Sequence, residues 1–339
     1  MSRATERLRE LKDKGLITEE QYSELLAALE RVAPNLSEAL APLKEPGTPQ
    51  PPSQPEPVVP AASAPVGDLP PAAPVFAVQP ASGNLTVRLV SEDLHVRGIQ
   101  GLAGVRVVRG QSSIRTHQHG DSVDIESGFS TGDFHGFSFT LGFGGDGEPV
   151  ELEVPAGMPC EFKTVSGDMI ITDITGETTA RSVSGDLKLG RMTHLRSAQS
   201  TSGDVEVDQC LVDGDVISKS GDVEVQSSTV RGMLKSYSGD VTIRDTVLND
   251  TDVLSFSGDV ELEAVTVQAG ARLRTTSGDV SADLNQHDVL VDVETRSGEA
   301  TVRGPGVDIE TSHQRIPVGL ATVELSAHTG SGDIDIRLK

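Results

Sequence analysis

The chain has no tryptophan, two tyrosines and eight phenylalanines in 339 residues. Rings are therefore too scarce to anchor a thick globular core, and any large core must be assembled from thin aliphatic slices. Cysteine is almost absent: Cys160 and Cys210 cannot make a disulfide framework or a cysteine-based zinc site. No apolar run approaches the ~18 residues of a membrane-spanning helix. Positive charge is in deficit, with 28 Lys and Arg against 51 Asp and Glu and a net charge of −23. That balance argues against a nucleic-acid backbone or an anionic membrane surface as direct partner. The charged, helix-like N-terminus is unlike a secretory signal, so a cytoplasmic location is expected, with contact to the inner membrane face only through a partner.

What the chain has in abundance is a tripeptide. Ser-Gly-Asp stands at Ser166, Ser184, Ser202, Ser220, Ser238, Ser257 and Ser277, with Ser-Gly-Glu at Ser297 and a last Ser-Gly-Asp at Ser331. A period close to twenty residues marks a solenoid, in which each coil buries its apolar side only by stacking on its neighbours. With each Ser as zero, offset −4 is Phe162, Ala180, Ala198, Val216, Leu234, Val253, Leu273 and Val293. Offset −2 is Thr164, Ser182, Ser200, Ser218, Ser236, Ser255, Thr275 and Thr295. Offset +3 runs from Met169 through Leu187, Val205, Val223, Val241, Val260 and Val280 to Ala300, and offset +5 is equally aliphatic. Both flanks alternate with period two, as strands do, and the repeat is too short to hold a helix as well. The pattern predicts an all-β solenoid of 18–20-residue coils with Ser-Gly-Asp at a corner, the Gly permitting a bend and the Asp folding onto nearby backbone N–H groups. Cys210 sits at offset +8, where Ile174, Met192 and Val265 stand in other coils, so it reads as a core thiol.

Three regions follow. Residues 1–43 read as a helical hairpin. A first helix ends at Gly15, Thr18 caps the second with Gln21 completing the box, and Ile17 and Tyr22 occupy the staple positions. Leu8, Leu11, Leu16, Ile17, Tyr22, Leu25, Leu26 and Leu29 are its apolar residues. So small a hairpin cannot bury them alone, which predicts self-association or docking to a protein partner. Residues 44–75 carry eleven prolines and behave as an extended tether. The β-domain occupies 76–339: an irregular part and cap over 76–160, regular coils over 161–310, and a C-terminal cap over 311–339. Ser82-Gly83-Asn84 and Ser91-Glu92-Asp93 look like degenerate corners. From Gln111 to Glu148 the alternation breaks, and a loop-rich insertion is expected whose phenylalanines cover the open end.

Two resemblances bear on these regions. Leu11, Gly15, Leu16, Ile17, Thr18, Glu19 and Glu20 match the "L-x-x-x-G-[LI]-I-T-E-E" core of the small SHOCT-type helical module; that likeness implies oligomerisation. The run from Val154 to Leu187, with Val-Pro-Ala-Gly, Lys-Thr-Val-Ser-Gly-Asp and Arg-Ser-Val-Ser-Gly-Asp-Leu, resembles the bacterial β-strand-repeat family of unknown function labelled "putative adhesin". This second resemblance implies a β-helix without known catalysis. Members of that family with a short N-terminal helical module include envelope-stress proteins.

Chemistry has few places to sit. Asp168, Asp186, Asp204, Asp222, Asp240, Asp259, Asp279 and Glu299 should form a column at the interstrand spacing of about 4.8 Å. Neighbouring carboxylates at that distance repel by about 0.9 kcal/mol even in water. Each Asp must be compensated by its own turn, by Lys and Arg, or by cations such as Ca²⁺, though one acid per coil is thin coordination for calcium. The hydroxyls at offsets −2 and 0 are expected to face inward and bond along the stack; the other reading is an outward stripe that binds a glycan. His117, His119 and His135 form a further metal half-site candidate, since His-x-His on a strand points both rings one way. The acids are spread along the axis rather than converging on a cleft, and no nucleophile elbow, phosphate loop or zinc-spaced cysteine set is present. The reading is therefore non-enzymatic, without a cofactor.

Overall fold

The structure is a computed structural model. It describes residues 83–127 and 148–339, together with the backbone of the short strands Val75–Ala77, Phe129–Ser130 and Thr140–Leu141. The expected hairpin of residues 1–43 and the proline-rich tether up to residue 74 lie outside the described residues, as do the phenylalanine side chains expected to cover the end.

Each coil is two short strands joined at the Ser-Gly-Asp corner. The lead-in strand, such as Thr178–Arg181, carries offset −4 inward, and the lead-out strand, such as Leu187–Gly190, carries +3 and +5 inward. Successive lead-in strands pair in parallel and in register, Phe162 on Ala180 and Val216 on Leu234; lead-out strands do the same, Met169 on Leu187 and Val205 on Val223. Two parallel sheets thus face each other across one continuous aliphatic core. Thin coils suffice because every side chain packs on its counterpart above and below, which is why so few rings are needed.

Order in space departs from order in sequence at both ends. The lead-in strand Leu85–Leu89 and lead-out strand Leu94–Ile99 form a coil that lies between the coil of Cys160–Thr164 and the coil of Ser122–Ser127 with Val150–Pro155. At the other end, Val323–Ser331 and Ile334–Leu338 slip between the Ser277 coil and the Ser297 coil. The stack therefore runs Ser277, Ser331, Ser297.

Antiparallel strands then close both sheets at both ends. Gly104–Arg109 covers Val150–Pro155, and Ile114–His119 covers Ser122–Ser127. Val307–Thr311 covers Ala300–Gly304, and His313–Pro317 covers Val289–Thr295. The cap strand Ile114–His119 is polar along most of its length, and His313–Pro317 ends on a proline, both of which discourage further pairing.

Two expectations need correction. Between Gln111 and Glu148 the chain is not simply loop: Ile114–His119 and Ser122–Ser127 are strands, and the second is part of the terminal coil. Asn84 leads into Leu85–Leu89, a lead-in strand, so Ser82-Gly83-Asn84 is not a copy of the motif corner. Ser91-Glu92-Asp93, in contrast, is one, since Asp93 accepts a hydrogen bond from the Asp168 N–H at 3.0 Å.

Candidate functional site

The acid column is bonded from coil to coil. The N–H of Asp186 donates to the Asp168 carboxylate, that of Asp204 to Asp186, and that of Asp222 to Asp204, at 2.9, 2.9 and 2.8 Å. Asp240, Asp259, Asp279, Asp333 and Glu299 continue the chain of bonds, each on the acid of the coil before it in space. Each Asp therefore serves the next coil and not its own turn, contrary to the sequence expectation. A charge-assisted hydrogen bond contributes about 1.5–3 kcal/mol, which exceeds the mutual repulsion of neighbouring carboxylates. Glu299 ends this ladder because its coil is last in the stack, and no following N–H asks for an acceptor there.

The hydroxyl columns divide. Offset −2 is buried, and in the central coils its oxygen makes two bonds: Ser218 Oγ accepts from the Gly221 N–H at 2.9 Å and donates to the Gly203 carbonyl at 3.0 Å. Ser236 and Ser255 repeat the arrangement, and Thr275, Thr329 and Thr295 carry the donating half. The offset-zero serines are exposed, which corrects the expectation that both columns turn inward. The Gly that follows each offset-zero serine is required by close approach rather than by a bend. A Cβ on Gly185 or Gly221 would overlap the carbonyl oxygen of the Gly one coil back.

The remaining candidates separate. Cys160 and Cys210 are both buried, and burial pushes their thiols up to about 12 and about 11. His117 and His119 share the cap strand Ile114–His119, where His119 Nδ1 lies 3.7 Å from Asp124. His135 falls outside the described residues, and among those described no group of three or more His, Cys, Asp or Glu could hold a metal ion.

Sequence reading missed a groove, because it is built from the offsets that do not repeat. Outward-facing offsets −3 and −1 of five consecutive coils enclose about 440 Å³. One wall is Lys235, Leu254, Arg274, His328 and Glu294; the other is Tyr237, Phe256, Thr276, Gly330 and Arg296. Phe256 is 58% exposed and Tyr237 43%. The Lys235 ammonium sits 4.2 Å from the Tyr237 ring centroid and donates to its hydroxyl, holding the phenol below its ordinary value. The signal that could have found it was present: two rings in adjacent coils of a ring-poor chain, flanked by cations.

A family model described as Toastrack DUF4097 matches residues 105–337. This chain belongs to the Toastrack family. The match begins inside the cap strand Gly104–Arg109, so in this Toastrack protein the coil of Leu85–Leu89 and Leu94–Ile99 precedes the matched region. No curated protein matches the chain. A solved structure similar to this Toastrack chain is described as that of a "putative cell adhesion protein" from Clostridium sporogenes. The two are 14% identical, over 80% of this chain and 100% of that one, with a TM-score of 0.17. So low a score supports no comparison of the two folds.

Proposed function

We propose that this Toastrack protein is a non-enzymatic interaction scaffold. Its solenoid is a stiff, predominantly acidic binding surface. The SHOCT-like segment, through Leu8, Leu11, Leu16, Ile17, Tyr22, Leu25, Leu26 and Leu29, joins copies into a homo-oligomer or docks them to a protein partner. Bivalent display of this kind raises avidity without strong single contacts. Bacterial envelope or stress homeostasis, on the cytoplasmic side, is the setting this reading favours.

One observation carries the non-enzymatic part. The groups the sequence repeats, Asp and the buried hydroxyl, are hydrogen-bonded to the backbone of a neighbouring coil, so the repetition is explained by stacking. A cation along the acid column would have to compete with those N–H donors. Size-exclusion chromatography with light scattering tests the oligomer: the full chain should run as a multimer and the Leu11→Asp/Leu25→Asp variant as a monomer. A monomeric wild type would end the self-association reading. Melting with millimolar Ca²⁺ tests the acid column, where no shift is expected and a rise of several degrees would favour a cation-binding module.

A further inference from the structure

Most cations described in this acidic protein face a carboxylate, as Arg191 faces Asp173 and Arg244 faces Glu224 and Glu263. Among the described residues, Lys219, Arg231, Arg274 and Arg296 have no such partner, Arg231 standing apart from the groove, and Lys235 is bonded only to Tyr237. Lys235, Arg274 and Arg296 line the groove, and Lys219 stands one coil beyond it at the same offset as Tyr237. Unneutralised cations gathered in a protein of net charge −23 form a local attractive site for an anion.

Their spacing says more. The stack order Ser238, Ser257, Ser277, Ser331, Ser297 puts Lys235, Arg274 and Arg296 on alternate coils, because the Ser331 coil intervenes before Arg296. Alternate coils are about 9.6 Å apart. A polyproline II helix turns once every three residues and rises about 9.3 Å in doing so, so side chains at every third position would meet Lys235 and then Arg274 along one wall, with Arg296 on the facing wall two coils further on. An extended strand presents same-face side chains about 6.8 Å apart and falls out of step. Strand addition is also closed off, because the lining strands are paired on both sides within the sheet. Between the cations lie Tyr237, Phe256 and Leu254 as apolar contact surface, with Thr276 and Gly330 leaving a notch.

The lining also disfavours a neutral sugar. It contains no Asp, Asn or Gln, and its one carboxylate, Glu294, lies 3.2 Å from His328. A polyol would find donors but few acceptors, whereas a carboxylate needs donors alone.

We infer that this groove binds an acidic, proline-rich polypeptide segment in the polyproline II conformation, with a carboxylate at every third residue. The inference rests on reading the solenoid as a binding surface, but not on self-association of the N-terminal segment. The test is fluorescence anisotropy of the full chain with a labelled twelve-residue peptide of repeating Glu-Pro-Pro. Binding should weaken at least tenfold in Arg274→Glu/Arg296→Glu and several-fold in Phe256→Ala. It should be unchanged in Arg231→Glu, an exposed cation outside the groove on the same sheet. Should the double variant melt early, Phe256→Ala against Arg231→Glu still decides the matter. Equal binding by the double variant and the wild type would overturn the proposal. So would equal affinity for a proline-free oligoglutamate, and so would failure of the Glu-Pro-Pro peptide to bind. Tighter binding of an oligouronate than of any peptide would assign the groove to an acidic glycan instead. Light scattering of the same samples reports on self-association separately.

Discussion

An aspartate in this solenoid is valuable for the N–H in front of it. Asp222 accepts from Asp240 at 2.8 Å, while Glu299 ends the column with no coil beyond. Asp222→Ala should therefore lower stability by about 1–1.5 kcal/mol in urea unfolding, and Glu299→Ala should change it by less than about 0.5 kcal/mol. Equal losses at both positions would mean the acids act through their general charge. Asp173 presents a different case. The hydrogen bonds from Arg191, at 2.7 and 3.0 Å, hold its carboxyl below the usual value. A depressed folded-state pKa contributes stability above the ordinary carboxylate range, and that contribution disappears as pH falls through the folded-state value. Asp173→Asn should thus melt slightly below wild type at neutral pH, by an amount limited by exposure. The two curves should converge in acid; a gap that persists there would deny the ion pair its role.

At the scale of the element, the corner is a contact between coils more than a turn. Gly221 is needed because the backbone of the Ser202 coil passes where its Cβ would be, with the Gly203 carbonyl and the Asp204 carboxylate in the way. Gly221→Ala should cost about 3 kcal/mol, measured as a fall in the urea midpoint at constant slope; a cost below about 1 kcal/mol would show that the coils can part cheaply. The strands, their inward faces and the corner were legible in the sequence, because a repeated environment forces a repeated residue: Phe162 through Val293 at offset −4 all lie in the core. The groove was not legible, because outward positions carry no stacking constraint and so do not repeat. Lys235, Arg274 and Arg296 looked like scattered surface charge, and their alignment needed the order of coils in space. A second corner also went unread. Asp173, Arg191, Gln209, Ser227 and Asp245 all take positive φ there, between 48 and 63°, and only Asp173 and Asp245 are residue types that hint at it.

For the solenoid as a whole, closure of the four sheet edges separates this protein from an open-ended β-helix that could polymerise. Ile316 is the buried residue of the cap strand His313–Pro317 and pairs with Val291. Ile316→Lys should lift that cap, bare the edge of Val289–Thr295, and give concentration-dependent growth in light scattering that the wild type lacks. A variant that stays at the size of wild type would mean the edge is protected by something other than the cap. The caps were only partly legible: irregularity in sequence signalled an end, but the antiparallel return of the chain was not visible in the pattern.

The interleaving of coils has a consequence for synthesis and for force. When the ribosome has released the Ser297 segment, the surface it will finally rest on does not yet exist, since that surface is made by residues 323–338. Assembly at this end must wait for later sequence and then close around it, like a page slipped into a bound book. A pull on the Ser331 coil likewise cannot peel it away one interface at a time, because it is gripped from above and below and must shear past both neighbours together.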